Sequence, residues 1–371
     1  MIKSMLKNTD WLILIITVIL FVFGIIGIYS AGYNTENNKN EYIKQLIWFG
    51  ASMIVVISIW LLDNKYFELI GYVIYGVGII LLVFVLFTTK VMGASSWFNI
   101  GDTVFVQPSE IMKIGYILCL AKVLSKYKVE NINKKQNIIK WVKIAVLFLL
   151  PVSLILLQPD FGTAVTFLVI TAFMIFASGI KYRYVLLVAL LLLLMVPLVY
   201  NFMLNDTQRQ RILVYLNPEL DPLDSGYNAI QSKLAVGSGM LFGSGILNGT
   251  QTQYGYLPIK SSDFIFSVIS EEMGFFASSI IIILFMILII RLLRVCNSTY
   301  ENYHKYIVIG VAGMLFYHFI QNIGMTFGVL PITGVPLPFV SYGGSSLLTN
   351  YIAIAIILNI TARKDKNFLF K

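Results

Sequence analysis

The sequence predicts an all-α polytopic membrane protein of about ten transmembrane helices, forming a single integral membrane domain over residues 1–371. Three observations carry this expectation. Hydrophobic residues make up 58% of the chain and charged residues only 12%, about half the roughly 25% of a soluble domain. Uncharged runs of the length that crosses a hydrocarbon core of about 30 Å as a helix recur along the chain. The lysines and arginines fall where the positive-inside rule puts them. A water-soluble fold is excluded, and the net charge of +9 does not point to nucleic acid because the basic residues are scattered over loops. Cys119 and Cys296 are the only cysteines, leaving neither a disulfide framework nor a CxxC pair.

Seven uncharged runs are expected to span, at 11–32, 45–62, 69–89, 161–180, 184–204, 306–327 and 341–362. Three further runs carry charge: 108–124 with Glu110 and Lys113, 140–157 with Lys140 and Lys143 at one end, and 264–290 with Glu271 and Glu272. The first run follows Lys3 and Lys7 as a signal peptide would, but its 22 uncharged residues exceed a signal core and no A-x-A site closes it, so a retained anchor is expected. With the N terminus in the cytoplasm, 19 basic residues lie inside and 8 outside. Both termini are then expected to be cytoplasmic, and residues 205–262 form a long external loop between helices 7 and 8, the kind of segment that carries chemistry in membrane enzymes.

The residues least suited to lipid collect on the external side. Gly93-Ala94-Ser95-Ser96-Trp97 precedes Gln107-Pro108-Ser109-Glu110-Ile111-Met112-Lys113, and Gln158-Pro159-Asp160-Phe161-Gly162-Thr163 lies between helices 5 and 6. The long loop holds Arg209, Arg211, Asn217-Pro218-Glu219-Leu220-Asp221, glycines from Gly237 to Gly249, and Lys260-Ser261-Ser262-Asp263. PITGVPLPFVSYGGSS, residues 331–346, separates the last two helices. A site at the outer membrane boundary is the expectation. Each cluster also has a plain structural explanation. Asp263 precedes an apolar helix, where an aspartate commonly caps. Pro108 suits a first helical position, and Glu110 with Lys113 can be a neutralising i,i+3 pair. Glu271 and Glu272 point about 100° apart around a helix, so burial against polar neighbours is expected for at least one.

The glycine tract matches neither GxGxxG nor a P-loop, so close packing is its expected role. Ahead of it, Tyr227, Ile230 and Leu234 fall at helical spacing, as in a helix lying flat on the bilayer. His304 and His318 have no partners at metal-ligand spacing.

Taken together, GASSWFNIG, QPSEIMKI, QPDFGTA, RILVYLNPELDP, GYNAIQS, LPIKSSDFIFSVISEEMGF and GVLPITGVPLPFVSYGGSS resemble, in order and topology, the SEDS (shape, elongation, division and sporulation) family of RodA/FtsW type. The resemblance covers essentially the whole chain, and Asn248-Gly249-Thr250-Gln251 leans toward the RodA branch. It implies a multi-pass protein of the bacterial plasma membrane, a peptidoglycan glycosyltransferase that polymerises lipid II beside a class B penicillin-binding protein transpeptidase. It also implies that Asp263 is catalytic and that Glu110, Lys113 and Trp97 belong to the substrate site. Two departures stand out. Ser96 replaces the arginine usual before the tryptophan, and Ser261-Ser262 replaces a frequent His-Thr before the aspartate.

Chemistry of this kind needs one base to take a sugar hydroxyl proton while a diphosphate departs unaided, so the two carboxylates of glycoside hydrolases are unnecessary. Cations must meet the charge on the leaving group, for which the outward candidates are Lys113, Arg209, Arg211 and Lys260, with a divalent magnesium or manganese ion as an optional companion. Two other functions stay open from sequence. A flippase for lipid-linked precursor could relay protons through Glu271 and Glu272, and a noncatalytic scaffold would only recruit the transpeptidase.

Overall fold

The computed structural model describes residues 2–34, 39–88, 96–100, 104–126, 134–179 and 225–363. The expected span at 184–204, Arg209, Arg211, the Asn217–Asp221 motif, Gly93-Ala94-Ser95 and the last eight residues lie outside the described residues.

A short helix α1 (Ile2–Asn8) leads into α2 (Trp11–Tyr33), α3 (Glu41–Leu61) and α4 (Phe67–Val85). A hairpin of β1 (Phe98–Ile100) and β2 (Val104–Val106) follows, antiparallel with Phe98 opposite Val106. Then come α5 (Pro108–Lys126), α6 (Lys134–Leu157) and α7 (Phe161–Ala177). Beyond the undescribed stretch lie α8 (Ser225–Ser238), α9 (Thr250–Gln253), α10 (Ile265–Asn297), α11 (Asn302–Thr326) and α12 (Gly344–Ala362). Among the described residues seven helices are long and apolar enough to cross a membrane, and α7 is a shorter apolar helix. The hairpin was not anticipated by the helical periodicities.

Burial separates an inner from an outer set of helices. On α5 and α12 nearly every side chain is buried. The faces of α3, α4 and α6 present Ile47, Ile54, Leu69, Phe84 and Leu149 outward. In water such faces would be untenable; against acyl chains they match their solvent, while the helices satisfy their own backbone groups. The chain is thus a multi-pass membrane protein with α5, α11 and α12 at its centre. Close approach is made through small residues, as in other membrane bundles: Gly24 of α2 lies against the Val340 backbone, and Gly27 against Ile265 and Ile269 of α10.

The 33-residue α10 is two helices joined at Gly274, whose φ of 74° and ψ of −169° break the helical path. The break frees backbone groups, and the glycine tract takes them up. The amides of Ser244 and Gly245 donate to the carbonyls of Glu271 and Glu272 at 2.9 and 3.0 Å, while the amides of Phe275 and Phe276 donate to Met240 and Leu241 at 2.8 and 3.3 Å. The tract must run so close that a Cβ on Gly239, Gly243 or Gly274 would strike opposing backbone. The packing role expected of these glycines is therefore met, by a specific partner. Gly274→Ala should cost about 1–3 kcal/mol from the left-handed backbone alone, and more from the clash. Thermal unfolding in detergent checks this, with Gly50→Ala as control because nothing lies near that position.

Glu271 and Glu272 sit beside this patch. Glu271 accepts from the amides of Gln251 and Thr252 at 2.7 and 3.0 Å and from the Thr252 hydroxyl at 2.7 Å, closing the start of α9. Glu272 accepts from the Ser30 hydroxyl at 2.7 Å and the Gln253 amide at 2.9 Å. Both are buried against polar neighbours. Helix α8 forms at the expected spacing, packs inward through Ser232 and Ala235, and leaves Leu234 exposed. The Ser232 hydroxyl meets that of Ser267 at 2.8 Å and reaches the Thr326 carbonyl at 3.0 Å, because α10 and α11 offer polar groups there.

Candidate functional site

The segment from Pro331 to Ser346 gathers the site. Its Ser341 hydroxyl donates to the Ser262 carbonyl at 2.6 Å, and its Tyr342 amide to the Ser261 carbonyl at 2.9 Å. Gln45 of α3 clamps it from the other side, donating to the Ser341 carbonyl at 3.0 Å and accepting from the Gly343 amide at 3.1 Å. Thr333 and Val335 lie against Gly162 at the start of α7. The hydroxyl of Ser345, the second residue of α12, accepts from the Gln107 amide at 3.3 Å, where β2 passes into α5. One irregular segment therefore touches the starts of α5, α7 and α12 and the turn before α10.

Asp263 lies in that turn. Its amide donates to the Ile259 carbonyl at 3.2 Å, and its own carbonyl accepts from the buried Asn322 side chain of α11 at 3.0 Å, which also holds the Val335 carbonyl at 2.9 Å. The residue at the helix N-cap is Phe264, with no side-chain capping bond. The Asp263 carboxylate is thus not spent on capping α10, the structural alternative that its position in the sequence allowed. It is half-buried and faces Gly334, where a Cβ would lie 3.7 Å from Oδ2. Burial pushes its carboxyl up to about 6, with the Ser262 side chain pulling the other way.

Glu110 and Lys113 form an ion pair of 2.8 Å with side chains 4% and 1% exposed, so neither faces lipid. The Lys113 ammonium also lies 3.3 Å from Nε2 of His318 on α11, which is 3.4 Å from the Thr166 hydroxyl of α7. Asp160 caps α7, accepting from the Thr163 amide at 3.0 Å and hydroxyl at 2.8 Å, and takes a further 2.9 Å bond from Gln107. Burial raises the Asp160 carboxyl, the Thr163 bonds oppose this, Glu110 raises it and Lys113 lowers it. The cap and the ion pair are therefore one electrostatic unit across α5, α7 and α11.

Of the other expected site residues, Trp97 is half-buried and its carbonyl accepts from the Thr88 hydroxyl at 3.4 Å. Lys260 is buried and donates to the Thr252 carbonyl at 2.8 Å. Burial lowers its ammonium, with Glu272 and Glu41 acting in the opposite sense. Its charge is engaged on the α9 side of the turn. Arg209 and Arg211 lie outside the described residues. Sequence reasoning passed over Gln45 and Asn322, and weighed His318 only as a metal ligand; all three sit inside apolar helices with no motif around them. The signal available was a polar side chain at membrane depth.

The comparisons agree with this architecture. A family model for FtsW/RodA/SpoVE cell cycle proteins matches residues 10–366. The "Peptidoglycan glycosyltransferase RodA" of Treponema pallidum is 34% identical, over 96% of this chain and 98% of its own. The "Peptidoglycan glycosyltransferase MrdB" of Escherichia coli K12 is 35% identical over 96% and 95%. A solved structure from a peptidoglycan synthase complex, described as coordinating polymerization and crosslinking, superposes with a TM-score of 0.82 at 28% identity, covering 96% of this chain and 98% of that one. With a family model spanning nearly its whole length and relatives above 30% identity, the chain belongs to the FtsW/RodA/SpoVE family.

Proposed function

We propose that this protein is a peptidoglycan glycosyltransferase of the bacterial plasma membrane, polymerising lipid II at the outer face with Asp263 as general base. The observation that carries the reading is an aspartate at the membrane boundary that caps nothing, is raised to about 6, and adjoins a segment linking it to the Glu110–Lys113 pair. Its carboxylate takes the proton from the acceptor sugar hydroxyl as the new glycosidic bond forms. The bond from the donor's anomeric carbon to the diphosphate breaks, and the diphosphate leaves as an anion on its lipid. A direct displacement turns an α-linked donor into a β-linked product. Lys113, with Arg209 and Arg211, is suited to meet the leaving charge, and the lipid chain remains in the bilayer. Among the described residues no three His, Cys, Asp or Glu side chains converge as metal ligands. A magnesium or manganese ion would supply further positive charge to the leaving diphosphate.

The flippase reading is weakened because Glu271 and Glu272 each accept several hydrogen bonds within the α9–α10 patch. A pure scaffold has no use for a carboxylate held as Asp263 is. The partner follows the same logic as the activity: a class B penicillin-binding protein, whose transpeptidase crosslinks the strands made. Polymerisation of labelled lipid II by purified protein, with and without that transpeptidase, tests the proposal, and no polymer under either condition would overturn it. The pH profile gives a second check. A base raised to about 6 is ionised above that value and protonated below it. The rate should hold above neutrality and fall about tenfold per unit once pH drops below 6. A profile still flat at pH 5 would remove Asp263 from the proton transfer.

A further inference from the structure

We infer that His318 is a positioning residue for Lys113. It acts as a neutral imidazole whose Nε2 accepts from the ammonium and holds it toward the substrate diphosphate. The inference rests on the reading of Lys113 as a substrate contact. An ammonium has three hydrogens and no acceptor. One is spent on Glu110 Oε1 at 2.8 Å, and the second is directed to His318 Nε2 at 3.3 Å. Two donors cannot face each other, so Nε2 is the acceptor and the ring hydrogen resides on Nδ1. The imidazole is 1% exposed and comes from α11, whereas Glu110 and Lys113 both come from α5. An i,i+3 pair on one helix can swing together; a third contact from another helix fixes the direction of the lysine.

The network is also incomplete. Glu110 Oε2 and His318 Nδ1 have no hydrogen-bond partner among the described residues, although both are buried. Together with the third ammonium hydrogen, they leave one acceptor and two donors unspent in a buried place, where each costs free energy until paired. A purely structural network tends to close on itself. Here the third ammonium hydrogen stays available to an anion. Thr166, 3.4 Å from Nε2, already donates to the Gly162 carbonyl at 3.1 Å and does not compete for the imidazole.

The test is a double-mutant cycle on purified protein. KM for lipid II and kcat are measured for His318→Gln, His318→Leu, Lys113→Gln and the Lys113→Gln/His318→Leu pair. Thermal unfolding is followed alongside. His318→Gln keeps an acceptor on a side chain of similar reach and should retain KM within about threefold. His318→Leu should raise KM by about tenfold or more while the protein remains folded. In the Lys113→Gln background the same leucine should add nothing to KM, because the residue it positions is gone; contacting residues of one network are non-additive in this way. Additive effects in the cycle, or equal KM values for His318→Leu and wild type, would overturn the role of His318. A wild-type KM in Lys113→Gln would instead overturn the reading of Lys113, and with it this inference. Should His318→Leu fail to fold, the glutamine variant decides alone, and a large KM increase there would count against the acceptor role.

Discussion

Asp263→Asn should fold, insert and bind lipid II as the wild type does, and should polymerise it slower by on the order of 10² or more. Asparagine matches the size and the backbone is unchanged, so the bonds from Asn322 to the Asp263 carbonyl and from the Asp263 amide to Ile259 persist. The substitution should also leave the protein no less stable near neutral pH. A carboxyl whose folded value is raised to about 6 from an ordinary 3.8 is penalised on ionising. That penalty enters as pH rises from about 4 through 6 and is full above it. Removing the charge removes the penalty. A rise in activity loss together with unchanged or higher thermal stability is the signature of a group kept for chemistry. A wild-type rate from well-folded Asp263→Asn would end the catalytic assignment.

The second large effect is expected at Glu110 and Lys113. With side chains 4% and 1% exposed, either charge left alone is an uncompensated ion in a dry place, which costs roughly 3–5 kcal/mol. Glu110→Gln and Lys113→Met should each lower the unfolding midpoint sharply. The double replacement by Gln and Met removes both charges together and should recover much of that loss, since buried pairs contribute little net stability. Polymerisation should not recover with it. Folded double variant with normal polymerisation would mean that the pair is structural only, and single variants of wild-type stability would mean that the pair is not buried in the membrane.

The helices were legible because the bilayer imposes one simple rule on every span, and runs such as 11–32 and 306–327 obey it visibly. Boundaries were less so: α10 reaches Asn297 because Arg291 and Arg294 continue the helix into the polar region, and Arg291 is tied there by a 2.7 Å bond to Asp10. Asp263, Glu110 and Lys113 stood out as charges where charges are costly. What composition could not supply was the gathering of the site by Pro331–Ser346, because each of its contacts joins residues far apart in the chain. The role of His318 was hidden for a related reason. Its meaning depends on Lys113, 205 positions away, and a lone histidine in an apolar run suggests only the metal site that it is not spaced to make.

The break at Gly274 bears on how the protein is made. Until the glycine tract docks, α10 carries two unpaired carbonyls and two unpaired amides, a load of several kcal/mol per group in hydrocarbon. Residues 239–245 leave the ribosome before α10 does. The lining for the break is therefore already made when the broken helix is handed to the bilayer, and α10 enters beside a template for its own defect. Had the order of the two segments been reversed, the helix would have had to wait in the membrane with its backbone open.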